Sequence, residues 1–337
     1  MSAPGLRVSV PGLRARLPAP GAVLLALLPW AAALAVYALA DSYLGLGTSV
    51  LVMILFALSL DLALGHAGIV TLGHAAFYGI GAYAAGACAL HLSTDPLLGL
   101  LLASLVAGVF GALSGMLILH TAGMTLMMLT LAVAALVAEA ANQFYALTGG
   151  DDGLQLPRLD PVLGLFRFDL WGQTAYLYAL AVLLLWFLLS RRVFRSPFGR
   201  SLDGIRQSPR RMRAVGTPVW WRLVAAYALS ATMAGSAGAL AAQTTRSVGL
   251  GSLGLLMSGT VLVVLVLGGM RRLYGAFVGA VVYLVLQDVA AEVDPFRWMF
   301  AIGALLIVVV LFLENGLMGL ADMAGRALGR GGVSRDG

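Results

Sequence analysis

Between Ser190 and Leu223 lies a stretch that no apolar interior could accept. It holds nine arginines (191, 192, 195, 200, 206, 210, 211, 213 and 222) against one acid, Asp203, a local charge of 9 − 1 = +8. The whole chain carries a formal +6, so this segment more than accounts for it. Apolar runs flank it on both sides, and each approaches the ~20 residues that cross a bilayer. The positive-inside rule places such a loop in the cytoplasm, where a soluble partner could grip it. The chain must therefore fold as membrane-crossing segments arranged around one charged, wet loop.

Composition agrees. The chain is 61% hydrophobic and only 11% charged, against about 25% charged in a soluble domain; it has too little polar surface to dissolve. All 21 Lys+Arg positions are arginine. Without a lysine the chain can hold no Walker-type phosphate loop, so if ATP drives this protein, another subunit binds it. Basic charge gathered on one side suits anionic membrane lipid rather than nucleic acid. The single Cys88 excludes an internal disulfide, and no Cys/His cluster offers four metal ligands.

Apolar segments place spans near 21–40, 48–64, 73–92, 97–119, 124–145, 173–190, 223–245, 255–269, 275–291 and 298–313. The first ends in Ala38-Leu39-Ala40 and resembles a cleavable leader, but it exceeds the ~7–15 residues of a signal core and reads as a span. The fold class expected is an all-α, polytopic helical bundle of about ten transmembrane helices, with both termini cytoplasmic. The short 255–269 segment could be re-entrant, which would give eight. Residues 1–20 and 321–337 are basic tails, and 21–320 form the membrane domain. Counting crossings puts loop 191–222, the Arg271-Arg272 turn and the C-terminal arginines on one side. It puts loop 146–172, with Asp151, Asp152, Asp160 and Asp169, on the other. Among the forty-two glycines, Gly111-xxx-Gly115 and Gly275-xxx-Gly279 are spaced to let helices approach closely in lipid.

Inside the basic loop, Phe198, Leu202 and Ile205 recur as a helical stripe. Ser208 is placed as an N-cap, Pro209 as the first helical residue and Gly216 as the C-terminal stop. The spacing predicts a helix over 209–215, with Met212 and Val215 on one face and Arg210, Arg211 and Arg213 around the other. Such a helix can seat in a partner's groove; the plainer alternative is a charged loop that only sets topology.

A second segment, Leu64–Tyr83, is broken by Gly65, Gly68, Gly73, Gly79 and Gly81, with Asp61, His66, Thr71 and His74 around it. Broken backbone at membrane depth needs protein or a water-filled cavity around it, and discontinuous helices build substrate sites in transporters. A plain turn between two spans is the alternative. His66 and His74 fall off a common helical face, so hydrogen-bonded structural roles fit them better than a shared metal. Intramembrane acids are costly and functional by default. Asp61, near the inner end of its span, either pairs with an arginine or meets a substrate ammonium. Glu139, Asn142 and Gln143, followed by Thr148-Gly149-Gly150, could line the outer mouth.

These residues carry a resemblance. Gly65–Tyr83 resembles the glycine-rich motif of bacterial branched-chain amino acid ABC transporter permeases of the LivM type. In order, Met127–Val137 (around Thr130), Leu147–Leu154, Ser196–Gly216, Leu229–Leu240 and Leu256–Ala280 resemble further blocks of that family. The resemblance implies one of two homologous permease subunits in a bacterial cytoplasmic membrane. A periplasmic solute-binding protein would deliver the solute, two ATPase subunits would bind ATP and Mg, and this chain would carry no cofactor and no catalysis. It implies ATPase coupling through Arg206, Ser208, Pro209, Arg210, Arg211, Met212, Arg213, Val215 and Gly216. The candidate pathway residues are Asp61, Gly65, Gly68, Thr71, His74, Thr130, Glu139, Gly149 and Gly150. Ile69, Asp61 and Ala135 stand where the family favours Gln, Asn and Gln, and the acid common in its coupling segment is absent. Two other readings remain open: the same machine importing urea, an amide or a sugar, and an ion-coupled secondary transporter relaying charge through Asp61 and Glu139.

Overall fold

The computed structural model describes residues 20–39, 43–161, 172–293 and the short stretches 299–300, 303–304, 307 and 316–319. The N-terminal tail before residue 20, the C-terminal tail and most of the expected tenth span at 298–313 lie outside these residues.

Apart from the connecting turns and one two-stranded ribbon, the described residues are helical. In chain order they form α1 (Pro20–Leu39), α2 (Leu44–Leu60), α3 (Ala75–His91), α4 (Pro96–Ile118), α5 (Met124–Gln143) and the single turn α6 (Tyr145–Thr148). After strand β1 (Leu154–Gln155) come α7 (Gln173–Arg195), α8 (Pro197–Gln207), α9 (Pro209–Ala214) and α10 (Val219–Thr245). Strand β2 (Ser247–Val248) then leads into α11 (Leu255–Gly268) and α12 (Gly275–Val293). Among the described residues, six helical segments are long and apolar enough to cross a membrane: Leu44–His66, Pro96–Ile118, Met124–Gln143, Gln173–Arg195, Val219–Thr245 and Gly275–Val293.

The chain runs back and forth between two ends. One end gathers α8, α9, the broken segment after α2 and the α11–α12 turn, joined by Arg206 Nη1 donating to Gly65 O (2.6 Å) and by Arg271 Nη2 to Asp203 Oδ1 (2.9 Å). The opposite end carries α6 and the antiparallel ribbon, in which Leu154 pairs with Val248 and Gln155 with Ser247. The two internal basic clusters thus share one end, and the Asp151-Asp152 loop sits at the other.

α2 and α10 form the centre. Every residue from Leu51 to Leu60 and from Met233 to Leu240 is buried, the pattern of helices apolar all round and enclosed by others. α10 comes close to its neighbours because its contact residues are small. A Cβ on Gly235 would meet Ala107 of α4, one on Gly81 would meet the Gly235 backbone, and one on Gly238 would meet the Tyr78 carbonyl. Both glycine pairs marked in the sequence lie at such crossings: Gly111 against Ala231 of α10 and Gly115 against Tyr227, Gly275 and Gly279 against the α11 backbone.

One feature departs from the sequence expectation, and for two others the structure supplies a physical cause. The basic stretch is barely a loop: α7 runs on through Arg195 and α10 begins at Val219, so its charge sits mostly on helices. Arginines in the last turn of α7 complement that helix's negative C-terminal dipole. α11 has only 14 residues, too few for the ~30 Å hydrocarbon core at 1.5 Å per residue. It is short because the chain before it dips inward. A Cβ on Gly79, one turn into α3, would meet Leu253, and Ser258 Oγ accepts from Ala75 N at 2.9 Å. Finally, α3 starts only at Ala75, because residues 67–74 make a non-helical turn.

Candidate functional site

The broken segment begins where α2 widens into a π-turn, Asp61–His66. A π-turn inserts one residue per turn and frequently marks a functional position. Here Ala67 N reaches Leu62 O (3.1 Å) and Ile69 N reaches Ala63 O (2.8 Å). Gly68 at φ +73° then turns the chain out of the helix, a backbone state that favours glycine.

Asp61 is fully buried. Its Oδ1 accepts from the backbone N–H of Arg271 at 2.7 Å, and its Oδ2 lies 3.7 Å from His66 Nδ1. Arg271 itself sits at φ +65°, so the carboxylate pins a left-handed turn between α11 and α12. A Cβ at Gly65 would strike Asp61 Oδ1; glycine there is what lets the carboxylate reach across. The His66 ring stacks on Phe194 of α7, centroids 3.7 Å apart and nearly parallel at 3°.

α8 lies over this segment. Ser196 caps it, accepting from Gly199 N (3.3 Å), and Leu202 and Ile205 are buried beneath it, with Phe198 half-buried, as the stripe predicts. Arg206 donates to Gly65 O and its Cγ packs on Gly68, leaving no room for a side chain at 68. Asp203, the only acid in the basic stretch, takes Arg271. Through Asp203 and Arg206, one turn apart in its C-terminal half, α8 is thus tied to two different breaks in the bundle. Between α8, the 67–70 turn and the 119–123 turn lies a recess of about 150 Å³ lined by Gly68, Ile69, Leu119, Gly123, Ile205, Arg206 and Pro209.

α9 forms as the caps predict. Ser208 Oγ accepts from Arg211 N (3.4 Å) and Pro209 opens the helix. At its end, Gly216 N reaches Arg213 O (2.9 Å), Thr217 N reaches Met212 O (3.0 Å), and Gly216 has φ +84°. That is a Schellman closure with a left-handed glycine. Met212 alone turns inward, its Sδ against Gly204 of α8. Val215, expected on the Met212 face, is the C-cap and is 81% exposed. Arg210, Arg211 and Arg213 are exposed.

The remaining expected residues fall into two places. Thr71 Oγ1 accepts from Gly73 N (3.2 Å), and His74 Nε2 lies 2.9 Å from Ser59 Oγ, its ring stacked on Phe56. Thr130 Oγ1 accepts from Leu72 N (3.3 Å) and donates to Met127 O (2.8 Å), which ties α5 to the broken segment. Asp61, Gly65, Gly68, Thr71, His74 and Thr130 therefore gather toward the arginine-bearing end. Glu139, Gly149 and Gly150 do not join them. Glu139 lies roughly 14 Å further along α5 at 1.5 Å per residue, exposed and accepting from Gln143 Nε2 (2.8 Å). Gly149 and Gly150 make the left-handed turn after α6 at φ +70° and +57°. An almost wholly apolar recess of about 330 Å³ opens beside them, lined by Ile80, Tyr83, Val137, Phe144, Leu147 and Leu253 among others.

Arg271, Asp203, Phe194 and Ser258 join the site without having been singled out for it. One signal was available for Asp203, the lone acid among nine arginines. Arg271 carried none, since a backbone N–H has no sequence signature.

Residues 42–311 match the family described as branched-chain amino acid transport system / permease component. Similar proteins include the high-affinity branched-chain amino acid transport system permease protein LivM of Salmonella typhimurium strain LT2, 27% identical over 81% of this chain and 69% of that protein. The protein of the same description from Escherichia coli K12 is 26% identical over the same shares. No solved structure matches. A chain with six membrane-length apolar helices among its described residues, matched to this family over most of its length, is a multi-pass membrane subunit of the ABC type and not itself an enzyme. It belongs to the branched-chain amino acid transport permease family.

Proposed function

We propose that this chain is one of two permease subunits of an ABC importer in a bacterial cytoplasmic membrane. It passes a branched-chain or related small amino acid inward by alternating access. Separate ATPase subunits bind ATP and Mg and dock on α9, while a periplasmic solute-binding protein delivers the solute at the end bearing Gly149 and Gly150. The chain crosses the membrane about ten times with both termini inside, the arginine-bearing end being cytoplasmic by the positive-inside rule.

One observation carries this reading. α9 is a short, doubly capped helix with its arginines outward, and the adjoining α8 is tied through Arg206 and Asp203 to the two breaks in the bundle. A push on α9 then reaches Gly65 and the α11–α12 turn without passing through a flexible linker. The apolar recess near α6 suits an aliphatic side chain better than a sugar or urea, which favours the amino acid.

The test is uptake in vesicles reconstituted with the partner subunits. R210E/R211E/R213E is expected to insert normally and to lose ATP-driven uptake; coupled uptake at the unaltered rate would sink the docking role of α9. Uptake by this chain alone, driven by a proton or sodium gradient, would instead support the secondary-transporter reading.

A further inference from the structure

The C-terminal end of α7 presents Arg191, Arg192 and Arg195, all exposed, around an open recess of about 500 Å³ that they line with Leu188 and Ser196. Among the described residues none of the three forms a salt bridge. Ser196 is already committed, its Oγ donating to Val193 O and accepting from Gly199 N, so the free polar groups of this recess are guanidinium groups.

Their placement on the helix is informative. At 100° per residue, Leu184, Leu185, Leu188 and the three arginines fall within an arc of about 120°. Leu184, Leu185 and Leu188 are 41%, 65% and 53% exposed, while Tyr176, Ala179, Leu183 and Phe187 are buried on the opposite face. An exposed leucine stripe on a membrane-crossing helix faces acyl chains. Here the same stripe runs, without changing face, into three guanidinium groups that begin roughly 5 Å further along the axis at 1.5 Å per residue.

We infer that this recess is a headgroup site for an anionic phospholipid of the leaflet on the arginine-bearing side. The planar guanidinium fork matches two phosphate oxygens at once, and the leucines beneath receive the acyl chains of the same molecule. A soluble subunit is the competing occupant of any basic patch. It is disfavoured because Leu188 belongs to the same recess, so a protein seated there would have to cover a surface continuous with the acyl-facing stripe. The arginines of α9 have no such stripe below them. The inference stands independently of the docking role assigned to α9.

The experiment uses the full chain assembled with its partner subunits in nanodiscs containing phosphatidylglycerol and phosphatidylcholine, with retained lipid counted by native mass spectrometry. Phosphatidylglycerol is expected to be enriched on the unaltered protein. R191Q/R192Q/R195Q should lose about fivefold in affinity per arginine, on the order of 100-fold in all, whereas Arg200→Gln, at an exposed arginine of α8 outside the recess, should retain it. The triple lysine variant at 191, 192 and 195 keeps the charge but loses the two-point fork and should recover only part of the enrichment, and excess glycerol phosphate or inorganic phosphate should not displace the lipid. Equal melting temperatures in phosphatidylcholine alone separate lipid loss from misfolding, and Arg192→Gln, with its fivefold loss, serves if the triple variant does not fold. Enrichment on R191Q/R192Q/R195Q equal to that on the unaltered protein would overturn the site. Displacement by glycerol phosphate would reassign it to free anions. Cross-linking of Arg192→Cys to an ATPase subunit, with the lipid expelled on assembly, would reassign it to a protein surface.

Discussion

Oδ1 of Asp61 accepts a 2.7 Å hydrogen bond from the backbone N–H of Arg271, a residue 210 positions away. The carboxylate is fully buried, and the turn it holds has a non-glycine residue at φ +65°. A carboxylate at this depth ordinarily suggests a substrate or ion contact; here one of its oxygens already serves as a cap for another hairpin. Asp61→Ala leaves a buried donor without an acceptor and should cost about 1–3 kcal/mol. Asp61→Asn keeps an acceptor oxygen and should cost less than about 1 kcal/mol. Thermal unfolding in detergent measures both, and equal losses would show that charge rather than acceptance matters.

Arg206 ties α8 to the carbonyl of Gly65. A hydrogen bond from a charged donor contributes about 1.5–3 kcal/mol. Arg206→Ala should therefore lower ATP-driven uptake on the order of tenfold while the ATPase subunits still co-purify, and Arg206→Lys should recover part of it. An Arg206→Ala protein with full uptake would remove this contact from the coupling route.

The neighbouring Asp203–Arg271 pair is half-exposed, with side chains 33% and 48% accessible. Solvent screening limits such a pair to roughly 0.2–1 kcal/mol. A double-mutant cycle with Asp203→Ala and Arg271→Ala should return a coupling energy in that range. A value of several kcal/mol would mean that the pair is enclosed in the assembled transporter.

α9 depends on its two caps. Ser208→Ala should cost about 1 kcal/mol of helix stability, and Gly216→Val, forced into a left-handed backbone, about 1–2 kcal/mol. Amide exchange at Thr217, which closes the helix, should quicken by roughly fivefold in the Ser208 variant and by roughly fivefold to thirtyfold in the Gly216 variant. Unchanged exchange would show that a partner, not the caps, orders the helix.

Helix crossings at glycine should be intolerant where backbone faces backbone. Gly81→Val would drive its Cβ into the Gly235 backbone, whereas a Cβ at Gly45 meets nothing within 4 Å. Overpacking costs about 1–3 kcal/mol and more when no side chain can yield. Gly81→Val should therefore accumulate poorly in the membrane and Gly45→Val normally; equal yields would contradict the close α3–α10 packing.

Much of the architecture was legible because it rests on signals within a few residues. The Leu44–His66, Pro96–Ile118 and Met124–Gln143 helices follow apolar runs. α9 follows a Ser-Pro start and a glycine stop, each of which acts on hydrogen bonds inside its own turn. The stripe of α8 came from helical spacing alone.

What stayed hidden depends on which distant segments touch. The sequence by itself determined a membrane-embedded chain, a basic face and a capped helix on it, because apolar length, charge and cap chemistry are local properties. Only the tertiary structure decided that Asp61 caps the turn at Arg271, that Arg206 reaches Gly65 across 141 residues and that Asp203 takes Arg271 across 68. It also decided that the chain dips to Leu253 and leaves α11 short. The reason is physical: buried backbone donors and carbonyls must be satisfied wherever packing brings them. A backbone group has no letter in the sequence to announce its partner.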